Sequence, residues 1–341
     1  RPGVRWTGPL PEEERPVVLD SAGGVVFTAN HRFAEAGRSG AFSARWFPPT
    51  RALRIHELLE ADARPSERLH QGYQLDTRSL EHELARALVL ELVDAEEPDP
   101  SLARVREMVE GWSGRADADS APFRILVAVD RAFRNAALAP LLAPAIRADP
   151  GVRYTWPLAQ EAAFRILEAR PAHLLPPAHE SWEAYLRETL EDVVAALTGD
   201  PLVEGLAEAS GVDGWGLDTP WGEVNRARIR HPFSQVQPAL ARILDLPADP
   251  LPGWLNAVRA QSPTYGQSLR FVGRPGRADD ALLDLPGGQS GHVLSRWYTR
   301  GHRAWVEGRG LPLAAGPAEH VLELLPREDH DLDPSSGAGE P

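Results

Sequence analysis

The residues of this chain that come nearest to a catalytic pattern are an Asn and an Arg. Thr28-Ala29-Asn30-His31-Arg32 closes a β-rich run, and Pro48-Pro49-Thr50-Arg51 opens a helical one. The side-chain amide of an Asn at a strand end can aim its N–H groups at a developing oxyanion, and an Arg at a helix start can orient that amide. A strand-end Asn is also a turn former, the commoner role for such a residue by spacing alone.

Other candidates carry less chemistry. Gly287-Gly288-Gln289-Ser290-Gly291-His292 has the outline of a nucleophile elbow, which needs Gly two residues on either side of the Ser. Gly288 meets that need and His292 does not, and Val293 to Tyr298 has no helical pattern. A structural Gly-rich turn is the expected reading; a hydrolase using Ser290 with His292 or His302 is a rival. The 11 His residues are dispersed, with no pair at i, i+4 enclosing a Glu, so no zinc site is expected. Asp94, Glu96, Glu97 and Asp99, and again Asp117 and Asp119, have the spacing of solvated loops and N-caps rather than of an EF-hand. No cofactor and no metal are expected.

The elements that must position these residues follow from hydrophobic period. Residues 17–28 place two β-rich runs around a Gly-containing connector, a hairpin signal. From Arg51 the spacing becomes helical. Leu102, Val105, Met108, Val109 and Trp112 form one stripe, and Trp182, Tyr185, Leu186, Leu190, Val193, Val194 and Leu197 another. Further helices are predicted over 51–61, 79–93, 122–136 and 158–169, with stops at Pro98/Pro100, Pro140/Pro144, Pro171 and Pro176-Pro177. After Gly211 the chain is rich in Gly and Pro, with short β-like runs at 268–272, 281–285 and 320–325. The expected layout is α+β: a β-rich segment over 1–50, a helical insertion over 51–211, a second β-rich part over 212–326 and a disordered tail over 327–341.

Composition narrows the partners. With 341 residues and 43% hydrophobic content the chain can bury a large core. A net charge of -13 argues against nucleic acid or an anionic membrane as partner. No apolar run reaches the roughly 18 residues of a membrane span. All 36 basic residues are Arg, a coding bias rather than chemistry. The absence of Cys excludes disulfides, thiolate metal sites and cysteine nucleophiles.

Several segments, taken in order, resemble the penicillin acylase family of N-terminal-nucleophile hydrolases. Gly24-Val25-Val26-Phe27-Thr28-Ala29-Asn30 is similar to its strand ending in Thr-Ala-Asn, and Trp46 to Ile55 to its helix beginning with Arg. Gln74-Leu75-Asp76-Thr77-Arg78-Ser79 is similar to the segment that opens its next helix. Trp221-Gly222-Glu223, His231-Pro232-Phe233, Pro286 to His292, Ser295 to Tyr298 and Trp305 to Gly308 resemble its C-terminal region.

The resemblance implies part of an αββα sandwich with a large helical insertion, made from a precursor that cuts itself in two. It implies hydrolysis of an amide between an apolar acyl group and an amine, such as a β-lactam side chain or an acyl-homoserine lactone. The nucleophile is the first residue of the larger chain, usually Ser, with its own α-amino group as base. Asn30 resembles the oxyanion Asn, and Arg51 the Arg that positions that Asn or the nucleophile's amine. The nucleophile should follow a Gly, yet no Gly-Ser dipeptide occurs here and Arg1 has no nucleophilic side chain. The chain is therefore expected to be the C-terminal part of the larger chain, inactive alone, with the N-terminal remainder of the precursor as its partner. The alternative is a non-catalytic homologue that keeps the fold as a binding or structural module. The family's calcium-ligand interval reads Ala36-Gly37-Arg38-Ser39, without a carboxylate, so no calcium is expected there. A periplasmic or secreted location is implied by the resemblance alone.

Overall fold

A computed structural model describes residues 8–15, 17, 19, 21, 23–32, 46–61, 64–152, 159–199, 216–318 and 320–324. The helical stripes read from the sequence become α1 (Thr50–Glu60), α3 (Glu83–Leu92), α4 (Pro100–Glu110), α5 (Ala121–Ala148), α6 (Gln160–Ala169) and α7 (Trp182–Gly199). A short α2 (Glu67–Tyr73), which the periodicity did not announce, sits between α1 and α3. Its start is conventional: the Ser66 hydroxyl accepts from the Leu69 N–H at 3.2 Å.

The main core forms where α3, α4, α6 and α7 pack around α5. Leu102, Val105 and Val109 of α4 and Leu186, Leu190, Val194 and Leu197 of α7 are buried, as the stripes require. On α5, Phe123, Ile125, Leu126, Val129 and Phe133 are buried on more than one side, the mark of a central helix. No helix among the described residues is long and apolar enough to cross a membrane.

One expectation fails instructively. The sequence places a stop at Pro140/Pro144, but α5 runs through both to Ala148. A helical Pro costs the hydrogen bond to the carbonyl four residues earlier. For Pro140 that carbonyl is Ala136 O, and the Tyr185 hydroxyl of α7 donates to it at 3.2 Å. A tertiary contact thus satisfies the acceptor that the proline orphans.

The β structure is small. After the single-turn helices α8 (Trp221–Val224), α9 (Pro232–Val236) and α10 (Ala241–Leu244), strands β1 (Gln261–Ser262) and β2 (Tyr265–Gly266) form a hairpin. Strands β3 (Arg270–Val272), β4 (Leu282–Asp284) and β5 (Leu311–Pro312) form an antiparallel sheet in that order, and α11 (His302–Glu307) precedes β5. Two of the expected β-like runs thus become β3 and β4. The run at 320–325 does not, since residues 320–324 carry no strand and the third strand is Leu311–Pro312. Near the start, Gly24 N–H donates to Ser21 O at 2.8 Å, with Gly24 at φ 68°, so the turn of the expected hairpin is present. Residues 25–28 nevertheless join no ladder among the described residues; the one pairing nearby is a bridge between His31 and Phe47. The fold is mixed α and β with helix predominant. The tail at 327–341 lies outside the described residues.

Helix α1 is fixed to the rest of the chain by charge as well as by packing. Arg54 donates from Nε to Asp76 Oδ1 at 3.0 Å and from Nη2 to Asp76 Oδ2 at 2.9 Å, a bidentate pair. Asp76 Oδ1 also accepts from the Arg78 N–H at 3.1 Å, and Arg115 lies 3.5 Å from Oδ2. Burial alone would push the Asp76 carboxyl up, but the bonds from Arg54 and Arg78 outweigh it and hold the carboxyl below its ordinary value. The backbone of the same segment binds the core: Ala116 N–H donates to Thr77 O and Ser79 N–H to Gly114 O.

Replacing Asp76 by Ala should lower stability at pH 7 by about 3 kcal/mol, near the lower bound for breaking a buried pair because Arg54 keeps some contact with water. A carboxyl depressed on folding contributes above its unfolded value of 3.8 and loses that contribution as pH falls through the folded value. The gap between wild type and Asp76→Ala should therefore narrow below about pH 4. Urea unfolding at pH 7 and pH 3 measures both effects, and equal midpoints at pH 7 would remove Asp76 from this role.

Candidate active site

Asn30 sits where the backbone turns out of the Thr28-Ala29 run. Its φ is 60°, in the left-handed region that Asn tolerates better than most side chains. The turn is held from both sides: the Phe47 N–H donates to Asn30 O at 2.9 Å, and the Ala29 N–H donates to His31 Nδ1 at 3.3 Å. The His31 ring stacks near Phe27 at 6.1 Å, and Phe27 also meets His56 of α1 at 5.1 Å.

Arg51 reaches this turn from the first turn of α1. Its Nη2 donates to Asn30 Oδ1 at 2.6 Å and to Ala29 O at 3.0 Å, and its Nη1 approaches Leu255 O at 3.5 Å. The structure therefore brings together the two residues that the sequence singled out. A guanidinium has donors and no acceptor, so the atom of the Asn30 amide that faces Arg51 must be the oxygen. That leaves Nδ2 with its two N–H groups directed away from Arg51. Burial pulls the Arg51 guanidinium below its ordinary value, partly offset by Tyr265, and it stays a cation. Burial first and the Arg51 charge second lower His31, so its ring is neutral at pH 7 and its Nδ1 is free to accept.

Asn30 and Arg51 border an open cavity of about 300 Å³, closed on its far side by Val258, Ala260, Tyr265, Gln267 and Ser268. None of these far-side residues stood out in the sequence. They come more than 200 residues after Asn30 and form no motif with it, so no local signal marked them. Hydroxyls are present at Thr28, Tyr265 and Ser268, and none of them hydrogen-bonds to a His or a carboxylate among the described residues.

The rival nucleophile is not assembled. Ser290 Oγ accepts from the His292 N–H at 3.1 Å, and His292 Nδ1 accepts from the Leu294 N–H at 3.2 Å. His302 is buried and occupied, with Nδ1 at 2.7 Å from Pro286 O and Nε2 at 3.2 Å from Asp249. The Gly-rich segment is a structural turn: a Cβ on Gly288 would fall 1.6 Å from Trp297 O. Of the acidic residues, Asp99 caps α4, accepting from Ser101 and Leu102 N–H, as expected. Glu97 departs from the solvated reading, since it pairs with Arg187 at 2.9 Å. The interval Ala36-Gly37-Arg38-Ser39 lies outside the described residues.

The family profile described as penicillin amidase matches residues 1–320 of the chain. The chain belongs to the penicillin amidase family. It is 29% identical over 336 residues to the penicillin acylase 2 proenzyme of Pseudomonas sp. (strain SE83), covering 94% of this chain and 41% of that relative. The chain thus spans about two fifths of the length of the curated relative it matches. Within this family member the segments that carried the sequence resemblance have concrete tasks. Gln74-Leu75-Asp76-Thr77-Arg78-Ser79 supplies the carboxylate that holds α1, and Trp46 to Ile55 supplies Arg51 and Arg54.

The environment of His31 is testable by NMR titration. Its pKa should lie below the ordinary 6.5, and Arg51→Gln should move it upward by removing one of the two causes of the depression. A His31 pKa indifferent to Arg51→Gln would separate the two side chains.

Proposed function

We propose that the protein of which this chain is a part is an N-terminal-nucleophile amidohydrolase, and that Asn30 and Arg51 form part of its oxyanion-binding apparatus. The observation that carries the reading is the 2.6 Å bond from Arg51 to Asn30 Oδ1, which leaves the amide N–H groups of Asn30 for another acceptor beside a cavity. A donor held in a fixed place, polarised by an adjacent cation, is what a developing alkoxide requires.

In this reading the remainder of the precursor supplies a nucleophile, a Ser at a new N-terminus with its own α-amino group as base. The hydroxyl attacks the amide carbonyl, and Asn30 Nδ2 donates to the tetrahedral oxyanion. Arg51 holds the amide in that orientation and adds its field. Collapse expels the amine and leaves an acyl ester, which water hydrolyses with the same donor engaged. The substrate class is an amide joining an apolar acyl group to an amine, a β-lactam side chain or an acyl-homoserine lactone among them.

The same reading assigns the small sheets to a larger αββα sandwich completed by the remainder of the precursor, with 51–211 as its helical insertion between the parts at 1–50 and 212–326. Residues 25–28, which join no ladder among the described residues, and the exposed Phe271 and Leu311 of the three-stranded sheet support a further partner layer. A periplasmic or secreted location accompanies this reading by family likeness.

Asn30→Ala in the complete protein should lower turnover of a phenylacetyl-amide chromogen by about 10²–10³-fold, the cost of one oxyanion donor. Unchanged turnover would remove Asn30 from the site. The isolated 341-residue chain should show no turnover of the same chromogen, whereas hydrolysis by it would mean that the nucleophile lies within these residues.

A further inference from the structure

The described residues contain a second cavity, of about 310 Å³, that shares no lining residue with the one at Asn30. It lies between α5, α7 and α8, beside the turn that joins β1 to β2. Its walls are aliphatic and aromatic: Val127 and Ala128 of α5, Val193 and Leu197 of α7, and Trp221 and Trp254. Polar ligands are disfavoured in such surroundings because their desolvation would go uncompensated.

Charge is present at one place only in usable form. Three arginines of α5 line the cavity: Arg124, Arg131 and Arg134. Arg124 donates to Thr219 O at 2.9 Å and also to Gly216 O. Arg134 is paired with the buried Asp130 at 2.6 Å. Arg131 is exposed and has neither a hydrogen bond nor an ion pair among the described residues. An unpaired guanidinium is a carboxylate receptor, with planar donors that match the two oxygens. In a chain of net charge -13, an unpaired cation beside an apolar cavity is a local departure from the overall field.

We propose that this cavity is a binding site for a small apolar carboxylate, its chain or ring against Trp221 and Trp254 and its carboxylate on Arg131. The volume stands at the low end of the roughly 300–1,000 Å³ of ligand pockets, which suits an acid of about eight carbons rather than a long-chain lipid. Leu255 joins the two cavities: it lines this one, and its carbonyl is 3.5 Å from Arg51 Nη1. The site does not depend on the amidohydrolase reading, because none of its lining residues is Asn30 or Arg51.

The test is calorimetric titration of the complete protein, as expressed, with octanoate and with octanol. Octanoate should bind saturably at one site, and octanol more weakly. Arg131→Glu should weaken octanoate about tenfold or more, the loss expected for a charge-assisted bond, and leave octanol unchanged. Ala128→Trp should fill the cavity and remove both ligands, with circular dichroism reporting the fold. Asn30→Ala should bind octanoate as the wild type does, which separates this site from the one at Asn30. Octanoate binding that ignores Arg131→Glu, or that disappears in Asn30→Ala, overturns the proposal. Absence of saturable octanoate binding by the folded complete protein overturns it as well, and assigns the cavity to packing against the rest of the precursor.

Discussion

The bidentate ion pair between Arg54 and Asp76 is the constraint on which the geometry of the site depends. Helix α1 carries Arg51 one turn before Arg54, so whatever fixes Arg54 fixes the direction in which Arg51 leaves the helix. Ala52 is the one fully buried residue of α1, with Ile55, Leu58 and Leu59 half-buried, so hydrophobic packing defines its rotation less sharply than it does for a core helix. A planar fork on a carboxylate supplies both a position and an orientation. Asp76 in turn belongs to a segment whose backbone is bonded to residues 114–116 and, through Arg259 N–H to Asp76 O, to the chain beyond residue 250. The site is thereby referenced to the helical core rather than to the irregular segments around it.

Arg51 then imposes an electrical choice on Asn30. An Asn at a turn can face its neighbour with either end of its amide, and the two ends have opposite polarity. A cation with no acceptor capacity admits only the oxygen, so the remaining donors face elsewhere. The strained φ of 60° at Asn30 is held by the Phe47 and Ala29 backbone bonds around it, which limits the amide to that one place. Neutral His31 contributes as an acceptor, a role that it loses when protonated on Nδ1. Three local interactions, none large, converge on one side chain.

The helical part and the C-terminal part of the chain meet in a second set of buried polar contacts. Glu81, 3% exposed, accepts from Trp254 Nε1 and Asn256 Nδ2, each at 2.8 Å, and from Gln160. A buried carboxylate is tolerated only when its oxygens are occupied. This one ties the loop carrying Leu255 to the start of α3 and to α6. Arg270, itself buried, contacts Asp284, Gln267 and the Trp305 carbonyl, and so links the three-stranded sheet to α11 and to the wall of the Asn30 cavity. The wall that carries Gln267 is thus tied to a buried charge on the three-stranded sheet.

The sequence alone determined the helices whose apolar stripes are long and regular, because a 3.6-residue period survives any arrangement of neighbours. It also excluded disulfides and cysteine nucleophiles, since the chain has no Cys. Asn30 and Arg51 were legible as a candidate pair from residue type and family order, but their contact was not, since nothing in the spacing says which end of the amide faces the guanidinium. Tertiary structure decided what depends on a distant partner. Tyr185 lets α5 run through Pro140, an outcome written on another helix. The short strands are ordered by pairing, so Leu311–Pro312 became the third strand while 320–324 did not. Asp76, Tyr265 and Leu255 entered the site because folding brought backbone and charge together across up to 200 or more residues, and residue type carries no record of that distance.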